Sequence, residues 1–438
     1  IILHTFADGI SILSFYGHLD PPNFLVTAGE CVQRGQQIAQ IGRPRTSPHL
    51  HFELRTQSPY ATLTGYWPTD PTEVGWIAPS QTIWNQRIAA TPGVQWTRPR
   101  GTAAVQIVGV LDDVLVVAEE GDLLGLDRQS GLVRWRYRSE ETIRTAVLDG
   151  QQPIVYLVFN NSELHALNLA TNEEAVVPDF APRWAEPVVI TGASQLIPLP
   201  NGGVLAFSRR EVTAVDGAGE LLWTSEEVGQ PTDWVVADGR LLVTTSGDGY
   251  GLWQLDTAGL VPWEVAAGGK LVQTTAATWL YTAEGLYQLE MDSQTAVLQY
   301  ALPRGILSRG DAVALPDGGL VLAHADGDDR KLIAFDAAGG LRWERSYQGL
   351  VEGSVELTVV DGDLYLVALD NGSSSIEVRV YRVDQDTAAL THILTGGTRS
   401  PAAGTWFSTA AEQLFINIGG GSLFAFTPAQ ALGDTVTN

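Results

Sequence analysis

The sequence predicts an all-β protein: a small β-sheet domain over residues 1–75, a linker over 76–92, and an eight-bladed β-propeller over 93–430. Three observations predict it. Eight copies of one strand–turn frame recur at spacings of 34 to 48 residues between Asp127 and Thr427. The apolar runs are short, alternating and bounded by turn residues. The last copy lacks a final strand, and an unclaimed strand of the right type, Gly93-Val-Gln-Trp96, precedes the first copy.

Four copies of the frame are strict. Leu-Leu-Gly-Leu-Asp127, Val-Thr-Ala-Val-Asp216, Leu-Trp-Gln-Leu-Asp256 and Leu-Ile-Ala-Phe-Asp336 lead through Gly131, Gly219, Gly259 and Gly339 to Trp135, Trp223, Trp263 and Trp343. Looser copies end at Asn168, Glu290, Asp384 and Thr427. The acidic or amide residue closes a turn through its own side chain. The glycine supplies a positive φ, and the next strand carries its tryptophan in to pack between units. A lone four-stranded sheet cannot bury both faces, so neighbours must stack on it. Closing the ring with residues 93–98 removes the exposed ends.

The bulk numbers narrow the function. Apolar residues make up 45% of 438, enough for folded cores. A net charge of −24 repels phosphate, so nucleic acid is not an expected partner. No run of 18 apolar residues offers a transmembrane segment. The single cysteine, Cys31, excludes an internal disulfide and reads as a small filler rather than a nucleophile.

The chemistry lies in the first domain. Ile10 to Tyr16 reads as a strand, followed by Gly17-His18-Leu19 and a Pro21-Pro22-Asn23 loop. From Val26 to Gly42, glycines alternate with short β-type pieces. Pro48-His49-Leu50-His51-Phe52-Glu53-Leu54-Arg55 then reads as a strand with His49 and His51 on one face, about 6–7 Å apart.

The ordered set Tyr16-Gly17-His18-Leu19, Val26…Gly29…Val32…Gly35-Gln36…Ile38-Ala39…Gly42 and His49-Leu50-His51-Phe52-Glu53-Leu54-Arg55 resembles the peptidase M23 family, the lysostaphin-like and LytM-like zinc endopeptidases of the bacterial cell wall. The resemblance implies Zn²⁺ bound by His51, with His18 and His49 assisting the water and the transition state. It implies peptidoglycan cross-links as substrate, and an extracellular or cell-envelope location. The family's other two ligands come from a His-x-x-x-Asp well upstream of the Tyr-x-His-Leu segment. His4-Thr5-Phe6-Ala7-Asp8 matches that pattern but lies only 14 residues before His18, and Asp8-Gly9 reads as a hairpin turn. The zinc site is therefore expected to need residues preceding Ile1, and the chain by itself to be inactive.

The repeat frame resembles the PQQ-type propeller repeat, which includes quinoprotein dehydrogenases and cofactor-free scaffolds similar to BamB. Quinoproteins of that kind use a vicinal cysteine pair, which one cysteine cannot supply, so no PQQ is expected. Asp326-Gly-Asp-Asp329 reads as a hairpin tip. His165, His324 and His392 receive no role. Two functions follow: a cell-envelope zinc endopeptidase with a propeller for protein or glycan binding, or a non-catalytic scaffold whose peptidase-like domain is degenerate.

Overall fold

The computed structural model describes residues 1–5, 11–33, 35–43, 47–56, 76–77, 79, 88–89, 91–99, 105–149, 151–171, 177–209, 211–226, 228–247, 251–256, 259–265, 268–307, 310–326, 329–348, 353–372, 375–398, 406–410, 413–417 and 422–427. Contacts divide the chain into two units, Ile1–Gln86 and Arg87–Asn438. The described elements are strands, with one 3₁₀ turn at Pro21–Asn23, and α-helical residues occur only at Pro79, Ile88 and Ala89 among the described residues. The all-β class is met.

The first unit is one antiparallel sheet in the order β1 (Ile2–Thr5), β2 (Ser11–Gly17), β3 (His51–Arg55), β4 (Trp76–Ile77). Gly17 faces His51, Phe15 faces Glu53, and Leu13 faces Arg55 across β2 and β3. Arg55 then faces Trp76 across β3 and β4. Among the described residues, the short strands expected between Val26 and Gly42 are not formed. That stretch is tied down by single bonds, Leu25 N to Ile38 O at 2.9 Å and Asp20 N to Gln40 O at 2.9 Å, and by an isolated bridge between Leu19 and Ile41. Gly29 and Gly35, at φ +89° and +81°, turn the chain too often for a strand to extend. Cys31 is exposed and fills no core.

The second unit holds eight four-stranded antiparallel sheets in a propeller arrangement. Their first strands are Val105–Leu111, Ile143–Leu148, Gln195–Pro198, Gln230–Ala237, Lys270–Gln273, Asp311–Ala314, Val355–Val360 and Trp406–Ala410. In seven of the eight neighbouring pairs of sheets the first strands lie beside one another, and Trp406–Ala410 lies beside Val105–Leu111. All eight copies of the sequence frame fall on third strands. The eighth sheet takes its outer strand from the start of the unit. There β5 (Val94–Pro99) pairs with Ser422–Phe426, with Trp96 opposite Ala425 and Thr97 opposite Phe424.

Described parts of the expected linker, 76–92, belong to the two units. Trp76–Ile77 belongs to the first sheet. Ile88 is fully buried among Val360, Tyr365, Leu414 and Phe426 of the second unit. Residues 57–75, including Asp70-Pro71, lie outside the described residues.

Each apolar cluster of the propeller joins adjacent sheets. Trp135 packs with Val116 of its own sheet and Val155 and Leu157 of the next, and Trp96 packs with Phe415, Ile107 and Leu115. The turn after the third strand forms as its residues dictate. Asp216 Oδ1 accepts from Ala218 N at 2.8 Å and Glu220 N at 2.9 Å, and Asp336 Oδ1 from Ala338 N at 2.9 Å and Gly340 N at 2.7 Å.

The structure adds a link between these turns and the tryptophans. The indole N–H of Trp96 donates to Arg128 O at 2.9 Å, that of Trp184 to Gly217 O at 3.2 Å, and that of Trp343 to Gln385 O at 2.6 Å. Each acceptor is the residue after a turn acid of the next sheet: Asp127, Asp216 or Asp384. At Gly131, φ +70°, an added Cβ would lie 2.5 Å from Trp96 Cδ2. The glycine therefore serves the backbone and also leaves room for the preceding sheet's indole.

Candidate functional site

His51, Glu53 and Arg55 share one face of β3, two residues apart. Gly17 opposite makes room for His51, since a Cβ there would sit 3.0 Å from His51 Cβ. The Phe15 ring meets the His51 ring edge-on at 5.9 Å. His18 follows β2 in the left-handed region, φ 59°, a conformation that costs a non-glycine residue energy. It is held there by Gly42 N–H donating to its carbonyl at 2.7 Å. The turn brings the His18 ring to 4.7 Å from that of His49 and 5.9 Å from that of His51, centroid to centroid.

The strand expected to carry both His49 and His51 begins only at His51. Pro48 has no N–H to pair, and the His49 imidazole instead bonds through Nδ1 to Ser47 O at 2.7 Å. The two rings thus do not ride one strand, yet both reach His18. His4 lies apart from them, its Nε2 2.7 Å from Ser14 Oγ. Asp8 lies outside the described residues.

Sequence reading passed over three residues that structure the site. Glu53 Oε1 lies 2.6 Å from His51 Nε2, and Glu53 Oε2 accepts from Arg55 Nε at 2.7 Å, from the other Arg55 nitrogen, and from Trp76 Nε1 at 2.6 Å. The Arg55 guanidinium lies between two rings, 4.9 Å from Phe15 and 4.4 Å from Trp76. Burial alone would raise the Glu53 carboxyl. Hydrogen bonds from Arg55, Trp76 and His51, with the Arg55 charge, outweigh it and hold the carboxyl below its ordinary value. An ionised Glu53 only accepts, so the N–H of that contact is on His51 Nε2 and the Nδ1 lone pair is the ring's remaining acceptor. The alternation of His51, Glu53 and Arg55 was visible in the sequence. Trp76 was not, because only β4 pairing brings it there.

Metal-ligating imidazoles commonly give their second N–H to a carboxylate, and His51 has that setting. Catalytic zinc takes about three protein ligands. Among the described residues no group of three His, Cys, Asp or Glu side chains is placed to hold a metal ion. These donors alone do not fit zinc.

Comparison with known proteins locates both regions. The sequence model of peptidase family M23 matches residues 1–62, and that of outer membrane protein assembly factor BamB matches residues 290–432. Both resemblances read from the sequence are met. No curated protein matches the chain. Among solved structures, BamB from Moraxella catarrhalis superposes with a TM-score of 0.50 at 14% identity, covering 76% of this chain and 99% of that one. Sqt1 from Chaetomium thermophilum gives 0.55 at 11%, covering 77% and 98%. The same protein bound to the N-terminus of ribosomal protein L10 gives 0.53 at 12%, covering 77% and 100%. At such identities these structures share the propeller fold with this chain. No helix among the described residues is long and apolar enough to cross a membrane.

Proposed function

We propose that residues 1–62 supply part of a peptidase M23-type hydrolytic site acting on the peptide cross-links of peptidoglycan in the bacterial cell envelope, with His51 as its metal-binding imidazole and His18 and His49 as its proton-handling groups. The observation that carries this reading is the convergence of the three rings, one of them oriented by a carboxylate. Imidazole is the side chain suited to passing protons to and from a bound water. The resemblance implies that the other two donors come from a His-x-x-x-Asp several strands upstream of the Tyr16-Gly17-His18-Leu19 segment, and not from His4 and Asp8. The propeller is the docking module, most simply for an envelope protein. The BamB-type repeats support the location, and the Sqt1 complex supports protein binding on this fold.

A second reading is a non-catalytic scaffold. It is favoured by the lack of a three-donor group among the described residues. Zinc content and digestion of purified peptidoglycan separate the two. The hydrolase reading expects near-stoichiometric zinc that is lost in His51→Ala, and zinc retained with digestion lost in His18→Ala. A natural full-length protein that holds no zinc and releases no peptide would establish the scaffold.

A further inference from the structure

We propose that Trp76, Arg55 and Glu53 form a positioning relay that fixes which ring nitrogen of His51 carries the proton. The inference rests on the hydrolase reading only for its use; its geometry stands alone. Glu53 is held at both oxygens. Oε2 takes N–H donors from Arg55 and from Trp76, neither of which has a lone pair to offer in return. Oε1 is left with one partner, His51 Nε2, at 2.6 Å. A carboxylate in that position accepts, so it selects the Nε2–H tautomer.

The relay is also rigid. Arg55 is 3% exposed and its remaining nitrogen, Nη1, is buried without a hydrogen-bond partner. Leaving a donor unmet costs free energy. Here the cost accompanies a guanidinium packed between the Phe15 and Trp76 rings, a contact that favours a cation and fixes its plane. Arg55 is therefore placed for stacking and for gripping Glu53, and not for satisfying all its own donors. Phe15 contributes twice, edge-on to His51 and face-on to Arg55. Trp76 contributes twice as well, through its ring and its N–H. A lysine at 55 would keep the charge and lose the planar, two-point hold.

Arg55 and Trp76 grip Glu53, and Glu53 in turn meets His51. They act through His51, and a merely structural role would not set its tautomer. The test reads that tautomer directly. The full chain is labelled with ¹⁵N-histidine, kept free of added metal, and examined by long-range proton–nitrogen correlation at neutral pH, with His51→Gln assigning the signal. Wild type is expected to show His51 with separate protonated Nε2 and bare Nδ1 resonances. In Glu53→Gln the preference is expected to be lost to an averaged or Nδ1–H pattern. Arg55→Lys and Trp76→Phe, which keep charge and ring respectively, are expected to shift it part of the way.

An averaged or Nδ1–H His51 in wild type overturns the relay, and this needs no variant to fold. So does a Glu53→Gln protein that keeps a pure Nε2–H signal. Because neither metal nor substrate is present, this test is independent of the hydrolase reading: the tautomer decides the relay, and zinc content and digestion by the natural full-length protein decide the hydrolase.

Discussion

Two glutamates, one in each unit, behave in opposite ways. Glu53 in the first sheet is held below its ordinary carboxyl range, while Glu356 in the propeller is pushed up to about 7. Both lose water. The difference is in their partners. Glu53 has a stacked guanidinium and an indole N–H at hydrogen-bond distance. Glu356 lies on the first strand of the seventh sheet, in a group with Asp233, Lys270 and Asp311 from the first strands of the three sheets before it. One ammonium, 3.6 Å from Asp311, serves three carboxyls there. Burial, followed by the charge of Asp311, prevails over Lys270 at Glu356.

The same contrast runs through the two units. The eight apolar clusters all belong to the propeller, whose strand centres are fully buried Leu, Val, Ile and Phe. In the first unit the buried polar residues are Ser14, Glu53 and Arg55, while Leu3, Phe24, Leu25, Ile41 and Leu50 are exposed. Among the described residues, then, the propeller is built on repeated apolar packing and the first unit on a polar network around its histidines. Function is expected to be sensitive in the second kind of interior and stability in the first.

The largest effect that would break this division is at the ring closure. Trp96→Ala empties the junction of the eighth and first sheets and leaves Arg128 O without its indole donor. It is expected to cost about 3–5 kcal/mol, read as a shift in the urea midpoint. A loss below about 1 kcal/mol would mean that the closing strand contributes little.

Two glycines with similar backbones give the next test. Gly131→Ala pushes a methyl into the Trp96 ring at φ +70°, whereas Gly29→Ala, at φ +89°, meets nothing within 4 Å. The Gly29 change is expected to cost the conformational penalty alone, about 1–2 kcal/mol. The Gly131 change should cost roughly 1–3 kcal/mol more, by displacing a packed indole. Equal losses, measured by chemical denaturation, would show that the indole has room to retreat.

The smallest effect concerns pH. With its folded carboxyl raised to about 7, Glu356 keeps a proton that the unfolded chain releases, so stability falls as pH rises from the ordinary carboxyl value through about 7. Glu356→Gln removes that loss. Its melting temperature should match wild type near about pH 4 and exceed it near about pH 8. The gain is on the order of 1 kcal/mol once partial exposure is allowed for. A gain that shrinks with rising pH would reverse the sign assigned to the cluster.

Much of this molecule was legible as local pattern. The eight frames, the turn acids and the closing strand follow from a period and from residues whose chemistry acts within four positions, as with Asp216 and its turn N–H groups. The three site histidines were visible as a motif. The placement of His49 was misread, because alternation continues through Pro48 on paper while the backbone has no N–H there to pair.

By itself the sequence determined the all-β class, the repeat and the candidate imidazoles, because each depends on near neighbours along the chain. Tertiary structure alone decided that Trp76 grips Glu53, that the indoles of Trp96, Trp184 and Trp343 sit on the next sheet's turn, and that four first strands gather three carboxyls around one lysine. Those outcomes depend on which distant strands lie side by side. A burial or a charge partner that arrives from another strand leaves no trace in the local pattern.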